Sequence, residues 1–363
     1  MRPTSDDQDG PLRLAAQDSE FSRRRFLQLS AIGASAGLVS GPVFGEDSGQ
    51  LPADTSAWTA ANIPDQRGRR VLVTGGNGYP QEDRSGLGYH VALGLARAGA
   101  DVTIASRNRE LGEEAVRRIG AAVPGAAIHF ETLDLANLAS VRQFADSMSA
   151  PGQSLDLLVN NAGVMGRLSR EASIDGFERV FATNTLGHFT LTALLLPMLQ
   201  KGRDPRIVWV GSSRMSAAIP FDDLQQEQKY DYAAAYDNTK LANLTLALDI
   251  ERRSKSAGWG VASLAAHPGV ARTSLIPNGP GLNSREGERF RTMGEMFQPA
   301  ERGALSLLYA ATSPQAVGGG YYGPKEGVKG PPAEAPVPPA AQDRQAATTL
   351  WTTLELLGKV SFG

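Results

Sequence analysis

Tyr236 stands one helical turn before Lys240 in the run Tyr236-Asp237-Asn238-Thr239-Lys240. On a helix that spacing stacks the phenol and the ammonium on one face. A free tyrosine titrates near pH ~10 and is a poor proton donor or acceptor at neutrality. A cation held close favours the phenolate and brings the phenol into the range of acid–base chemistry. The pair alone says little, because Tyr and Lys meet at this spacing on many amphipathic helices. Its weight comes from the company it keeps. A Gly-rich turn lies between Thr74 and Gly88, followed by Asn160-Asn161-Ala162-Gly163, Asn184, Ser212-Ser213 and His267-Pro268-Gly269.

These residues need a scaffold, and the alternation of apolar runs with helical patterns supplies one. Strands are predicted at 70–74, 102–105, 128–133, 155–160, 207–211 and 261–265, with a short last one in 318–323. Helices are predicted at 86–98, 110–119, 138–148, 176–200 and 233–254. Val/Ile/Leu-rich strands separated by helices mean an α/β fold: a single doubly wound, Rossmann-type parallel sheet with helices on both faces. Ligands then collect at the C-terminal ends of the strands. The domain is expected over 69–330, after a polar linker at 46–68. A Pro-rich stretch and a closing helix around Leu350-Trp351 to Leu357 occupy 331–363.

Composition narrows the chemistry. The 363 residues are 41% hydrophobic and 20% charged, ordinary values for a chain with a full core. A net charge of -2 gives no electrostatic reason to expect nucleic acid as a partner. With no cysteine, thiolate catalysis and Cys-ligated metals are excluded. His90, His129, His188 and His267 lack metal-ligand spacing, so no metal is expected.

Taken in order, the motifs resemble the short-chain dehydrogenase/reductase family, from about Arg69 to the C-terminus. The gap between Ser212 and Tyr236, with an extra segment in 221–232, is similar to the retinol-dehydrogenase-like branch. The resemblance implies a catalytic set of Asn184, Ser212, Tyr236 and Lys240, with Ser213 as the alternate serine. Tyr230 and Tyr232 compete with Tyr236 but have no Lys one turn on. Lys240 would also bind the nicotinamide ribose, and Asn184 would shape a helix kink and hold a relay water. The implied reaction interconverts a small-molecule carbonyl and an alcohol by hydride transfer.

The same resemblance places a nicotinamide dinucleotide on Thr74, Gly75, Asn77, Gly86, Leu87 and Gly88, where glycines admit the backbone to the pyrophosphate at a helix N-terminus. The family's two Gly-rich pieces are adjacent, whereas here residues 78–84 separate them. That insert either folds outward or spoils the cradle, and Glu82 and Asp83 would repel phosphates if they pointed inward. At the end of the second strand, Ser106 and Arg107 stand where an acid would select NAD(H). Arg107, with Arg109 in support, favours NADP(H). Asp134 and Leu135 resemble the adenine contact, and Asn160, Asn161, Ala162 and Gly163 the motif lining the adenosine. Pro268, Gly269, Val270 and Thr273 resemble the loop that grips the carboxamide.

Residues 1–45 are of a different kind. Ser22-Arg23-Arg24-Arg25-Phe26-Leu27-Gln28 resembles a twin-arginine export signal, and no charge follows from Phe26 to Gly45. The run is too diluted by Ser and Gly for a membrane span. The resemblance implies passage through the twin-arginine machinery as a folded protein, to a periplasmic location. A homo-oligomer is allowed for.

Rival readings remain at this stage. One is a nucleotide-binding scaffold with little turnover, suggested by the interrupted Gly-rich loop. Another is a light-dependent protochlorophyllide reductase, which the lack of cysteine disfavours. Residues 276–296, with Leu282, Phe290 and Met293, are expected to cover the site and to suit a partly apolar substrate.

Overall fold

The structure, a computed structural model, describes residues 57–150 and 152–362. Residues 1–45, with the predicted export signal, lie outside them. Strand β1 (Arg70–Thr74) runs parallel between β2 (Asp101–Ser106) and β4 (Leu157–Asn160), and β3 (Ile128–Thr132) follows β2. Beyond β4 come β5 (Arg206–Val210) and β6 (Ala262–Ala266). Two-residue strands β7 (Ala271–Arg272) and β8 (Gln298–Pro299) pair apart from this sheet. Strand β9 (Tyr321–Pro324) then joins β6, and β10 (Pro332–Glu334) closes the edge, giving an eight-stranded order β10-β9-β6-β5-β4-β1-β2-β3.

The sheet is parallel except for β10, which runs antiparallel to β9. The expected parallel sheet is thus present, with one antiparallel edge strand that the sequence reading did not include, drawn from the Pro-rich stretch. Proline has no N–H to donate, so it is tolerated on an outer edge, where it also blunts further pairing.

Side-chain alternation along the strands fills two cores. Leu72, Leu158, Ile207 and Trp209 face one side, while Val71, Val73, Leu157, Val159, Val208 and Val210 face the other. Helices α1 (Leu87–Arg97) and α2 (Arg109–Ala122) cover the second side. Helix α3 (Leu138–Met148) and two long helices cover the first. The first of these, α4, comprises Arg179–Phe181, a π-helical turn at Ala182–Leu186, and Gly187–Leu199. The second is α5 (Tyr232–Ala257), which Asp231 caps by accepting from the amides of Ala233 at 2.8 Å and Ala234 at 2.9 Å. Short helices α6 (Leu275–Asn278) and α7 (Arg285–Thr292) precede α8 (Ala300–Thr312), which joins α1 on the second side.

Helix α9 (Arg344–Gly358) lays Leu350, Trp351 and Leu354 onto α4 and α5. Gly187–Leu199 of α4 is therefore apolar nearly all round, while α5 buries its middle between sheet and α9 and keeps charged residues toward its C-terminal end. At the other end of the domain, residues 57–68 differ from the expected linker. Trp58 meets the Tyr309 ring edge-on at 5.4 Å, and Ile63 packs against the second core.

Candidate active site

The nucleotide side is built where β1 and β4 end. Thr74 is fully buried, and its hydroxyl accepts from the amides of Asn161 at 3.0 Å and Ala162 at 2.9 Å. Asn161 donates its side-chain amide back to the Thr74 carbonyl at 2.7 Å. The two strand ends are thus stitched together, and glycine is required at the crossing. A Cβ on Gly88 would lie 2.4 Å from the Asn161 amide nitrogen and 2.8 Å from the Gly75 carbonyl oxygen.

The insert at 78–84 leaves this cradle intact. Gly86 donates its amide to the Gly78 carbonyl at 2.6 Å, and a Cβ on Gly78 would stand 2.8 Å from the Gly86 Cα. The chain is pinched at that point, so the residues between loop outward and the Gly-rich halves sit side by side. Glu82 pairs with Arg84 at 3.4 Å, and Asp83 pairs with Arg272. Their charges are neutralised away from the cradle.

The surroundings fit a dinucleotide. Helix α1 begins at Gly86 with no side-chain cap, leaving its first amides for an anion. The Ser106 hydroxyl at the tip of β2 is buried and unpartnered. Arg107 beside it is exposed and forms no ion pair among the described residues. Arg109, expected to help, is instead held by Glu113 at 3.3 Å and by the Thr132 hydroxyl at 3.0 Å.

Other expected contacts need correction. Thr74, Leu135 and Asn160 are core residues, with the Asn160 side chain donating to the Thr192 hydroxyl at 3.0 Å. They support the cleft and do not line it with side chains. Asp134 turns its carboxylate back to the Ala136 amide at 2.9 Å. Val270 has both backbone groups engaged, its N–H with the Val328 carbonyl and its carbonyl with the Gln298 N–H, each at 2.9 Å. Its amide is not free to grip a carboxamide. Gly269 adopts φ 63°, and Thr273 accepts from the Leu275 amide at 3.3 Å. Asn77, Leu87 and Pro268 are part-buried along the cleft, and Gly163 is exposed.

On the reacting side, Ser212 and Tyr236 come together at the C-terminal end of β5, with Lys240 beneath. The Lys240 ammonium is buried and donates to the Val210 carbonyl at 2.8 Å, 5.4 Å from the Tyr236 ring centre. Burial lowers Lys240 to about 8. Loss of solvent pushes Tyr236 up to about 12, against a hydrogen bond with Ser212 that favours the phenolate. Ser212 is part-buried and accepts from the Arg214 amide at 3.1 Å, whereas Ser213 faces solvent.

Asn184 sits in the π turn of α4. Its side chain accepts from the Val164 amide at 2.8 Å and donates to the Val164 carbonyl at 3.0 Å and the Thr239 hydroxyl at 3.1 Å. The turn aims its carbonyl sideways, where it accepts from Asn243 at 3.0 Å and meets His188 Nδ1 at 3.0 Å. His188 Nε2 in turn lies 2.9 Å from the Thr74 hydroxyl, so this ring links the cradle to Asn184. Complete burial drives His188 down to about 4 and keeps it neutral. The sequence gives no signal for this link beyond a histidine in an apolar helix.

Two further residues were not anticipated. Tyr321, from β9, donates to the Ser212 carbonyl at 2.7 Å and fixes the serine's backbone. Arg214 pairs with Asp237 at 2.9 Å and with Glu286 at 3.5 Å. Glu286 belongs to the covering segment and also accepts from the Tyr232 hydroxyl, so Tyr232 anchors this cover from below. Tyr230 packs against Gly166, and burial beside carboxylates raises its pKa. Of the three apolar residues expected over the site, only Phe290 turns inward, while Leu282 and Met293 are exposed.

The family model for short chain dehydrogenases matches residues 69–278. A polyprenol dehydrogenase of Mus musculus is 40% identical over 80% of this chain and 83% of its own length. Human retinol dehydrogenase 13 is 36% identical over 90% of this chain and 93% of its own. A crystal structure of an uncharacterised protein from Mycobacterium paratuberculosis superposes with TM-score 0.69 at 35% identity, over 85% of this chain and all 100% of that one. Pseudomonas aeruginosa RhlG, solved with NADP, covers 70% of this chain and 94% of its own at 25% identity and TM-score 0.53. The chain belongs to the short-chain dehydrogenase family and is an oxidoreductase acting on CH–OH or C=O groups.

Proposed function

We propose that this chain interconverts a carbonyl and an alcohol with NADP(H), using Tyr236 as general acid and base. The observation that carries the reading is the meeting of Ser212, Tyr236 and Lys240 beside the uncapped end of α1, with Asn184 locked behind them. The nicotinamide supplies or accepts the hydride when bound. The Tyr236 hydroxyl gives its proton to the carbonyl oxygen, and the Ser212 hydroxyl donates a hydrogen bond to that oxygen. Lys240 uses one N–H on Val210 and keeps two for the ribose and the phenol. Nearby phosphate charge favours its ammonium form. The scaffold reading loses its motive, because the insert leaves the two Gly-rich halves side by side.

Two relatives are named for polyprenol and retinol, both alcohols with long apolar chains. They support an apolar alcohol or aldehyde as the substrate class. For the nucleotide, the support is Arg107 and the unpartnered Ser106 hydroxyl. The leader at 1–45 supports export through the twin-arginine machinery to the periplasm.

NADPH is expected to raise the melting temperature more than NADH. A tenfold preference corresponds to about 1.4 kcal/mol at saturating ligand. Equal shifts with both nucleotides contradict the assignment.

Tyr236→Phe is expected to keep NADPH binding and cut turnover by about 10² or more. Tyr232→Phe, which loosens the cover through Glu286, is expected to raise KM and leave kcat near wild type. Near-wild-type kcat in Tyr236→Phe would overturn the mechanism.

A reporter fused to residues 1–50 is expected to reach the periplasm only with Arg23 and Arg24 intact. Unchanged transport in the Arg23→Lys, Arg24→Lys variant removes the export proposal.

A further inference from the structure

The insert at 78–84 is pinned near its start to α2 and near its end to β7. At its start the Tyr79 ring lies under the Arg118 guanidinium of α2, 4.3 Å away. Its tip is a tight turn closed by Gln81 and Arg84, which exchange backbone hydrogen bonds of 3.0 and 3.1 Å. That turn presents Asp83 to Arg272 of β7, which donates from Nε at 2.7 Å and from a second nitrogen to the same oxygen. The Ser85 amide adds a contact to the Arg272 carbonyl at 3.4 Å. The insert therefore runs from the adenosine-side helix to the strand that follows the Pro268 loop.

Arg272 reaches a third element. Its guanidinium lies 4.4 Å from the ring centre of Phe290 on α7 and donates to the Phe290 carbonyl at 3.2 Å. Phe290 is the inward-facing residue of the segment over the active site, and Glu286 anchors the same helix from below. One side chain thus joins the insert, the loop at the nicotinamide end and the substrate cover. A partly exposed ion pair is weak and yields to salt. That suits a fastening that must open whenever nucleotide is exchanged.

We propose that the insert is a strap across the nucleotide cleft, and that Arg272 is a positioning residue that couples the strap to the substrate cover. The inference rests on the nucleotide reading of the cleft. Nucleotide held under the strap keeps Asp83 on Arg272, and Arg272 in turn keeps Phe290 and its helix seated. A nucleotide-first order of binding follows.

The test is NADPH release from the full chain, followed by stopped-flow fluorescence, in wild type, Asp83→Asn, Arg272→Gln and the double variant. Each single variant is expected to release NADPH about fivefold faster, with the double variant no faster than either. Asp83→Glu is expected to restore slow release, and added salt to speed release in wild type but not in the variants. Tyr79→Leu, which keeps the apolar packing and loses the Arg118 contact, is expected to speed release as well. NADPH is expected to protect residues 276–296 from limited proteolysis in wild type and not in Arg272→Gln. Wild-type release rates in Asp83→Asn and Tyr79→Leu overturn the strap, and equal protection in Arg272→Gln overturns the coupling. If wild type binds no nucleotide, the functional reading fails and the strap with it. Binding with unaltered release sinks the strap alone.

Discussion

The site depends on an ammonium taken out of water. Lys240 is enclosed at the end of β5 with the Val210 carbonyl as its protein acceptor, and burial brings it to about 8. The same dry surroundings hold the Tyr236 phenol at about 12, too high for proton exchange at neutrality. At about 8 the ammonium is still the main form at neutrality, so it is the phenol that is not poised without nucleotide. Phosphate charge would hold Lys240 as an ammonium to higher pH, and the ammonium with an oxidised nicotinamide would favour the phenolate. We propose that activation of the phenol is conditional on the cofactor.

The fold keeps that arrangement at fixed geometry. Thr74 and Asn161 fasten β1 to β4 where the strand order reverses, the place where such sheets receive ligands. His188 carries the fastening on to Asn184, whose π turn frees a carbonyl for Asn243 and turns its amide toward Val164. From the other side, Tyr321 holds the backbone of Ser212. These ties are buried or part-buried, so losing one partner strands another polar group.

The sheet and the Tyr236–Lys240 face were legible because they rest on local periodicity: buried strands rich in Val and Leu, and a one-turn spacing. The insert at 78–84 was visible in the sequence, but its direction was decided by the close approach of Gly78 to Gly86, which no pattern announces. Long-range partners were the blind spot. Tyr321 reaches Ser212, and Tyr232 reaches Glu286, across chain separations that periodicity cannot bridge. Edge strand β10 hid because proline argues against strand interiors and is silent about edges. Val270 matched a motif by type, yet its backbone groups are taken by Val328 and Gln298.

Bound nucleotide is proposed to make Tyr236 a usable acid and base. Labelling the tyrosines at Cζ with carbon-13 and assigning Tyr236 by its Phe variant lets its ionisation be followed by NMR. The free protein should keep this phenol protonated past about pH 10, and the NADP+ complex should titrate it well below that, toward neutrality. A phenol that stays protonated past about pH 10 in both states, or that already ionises near neutrality without nucleotide, contradicts the account.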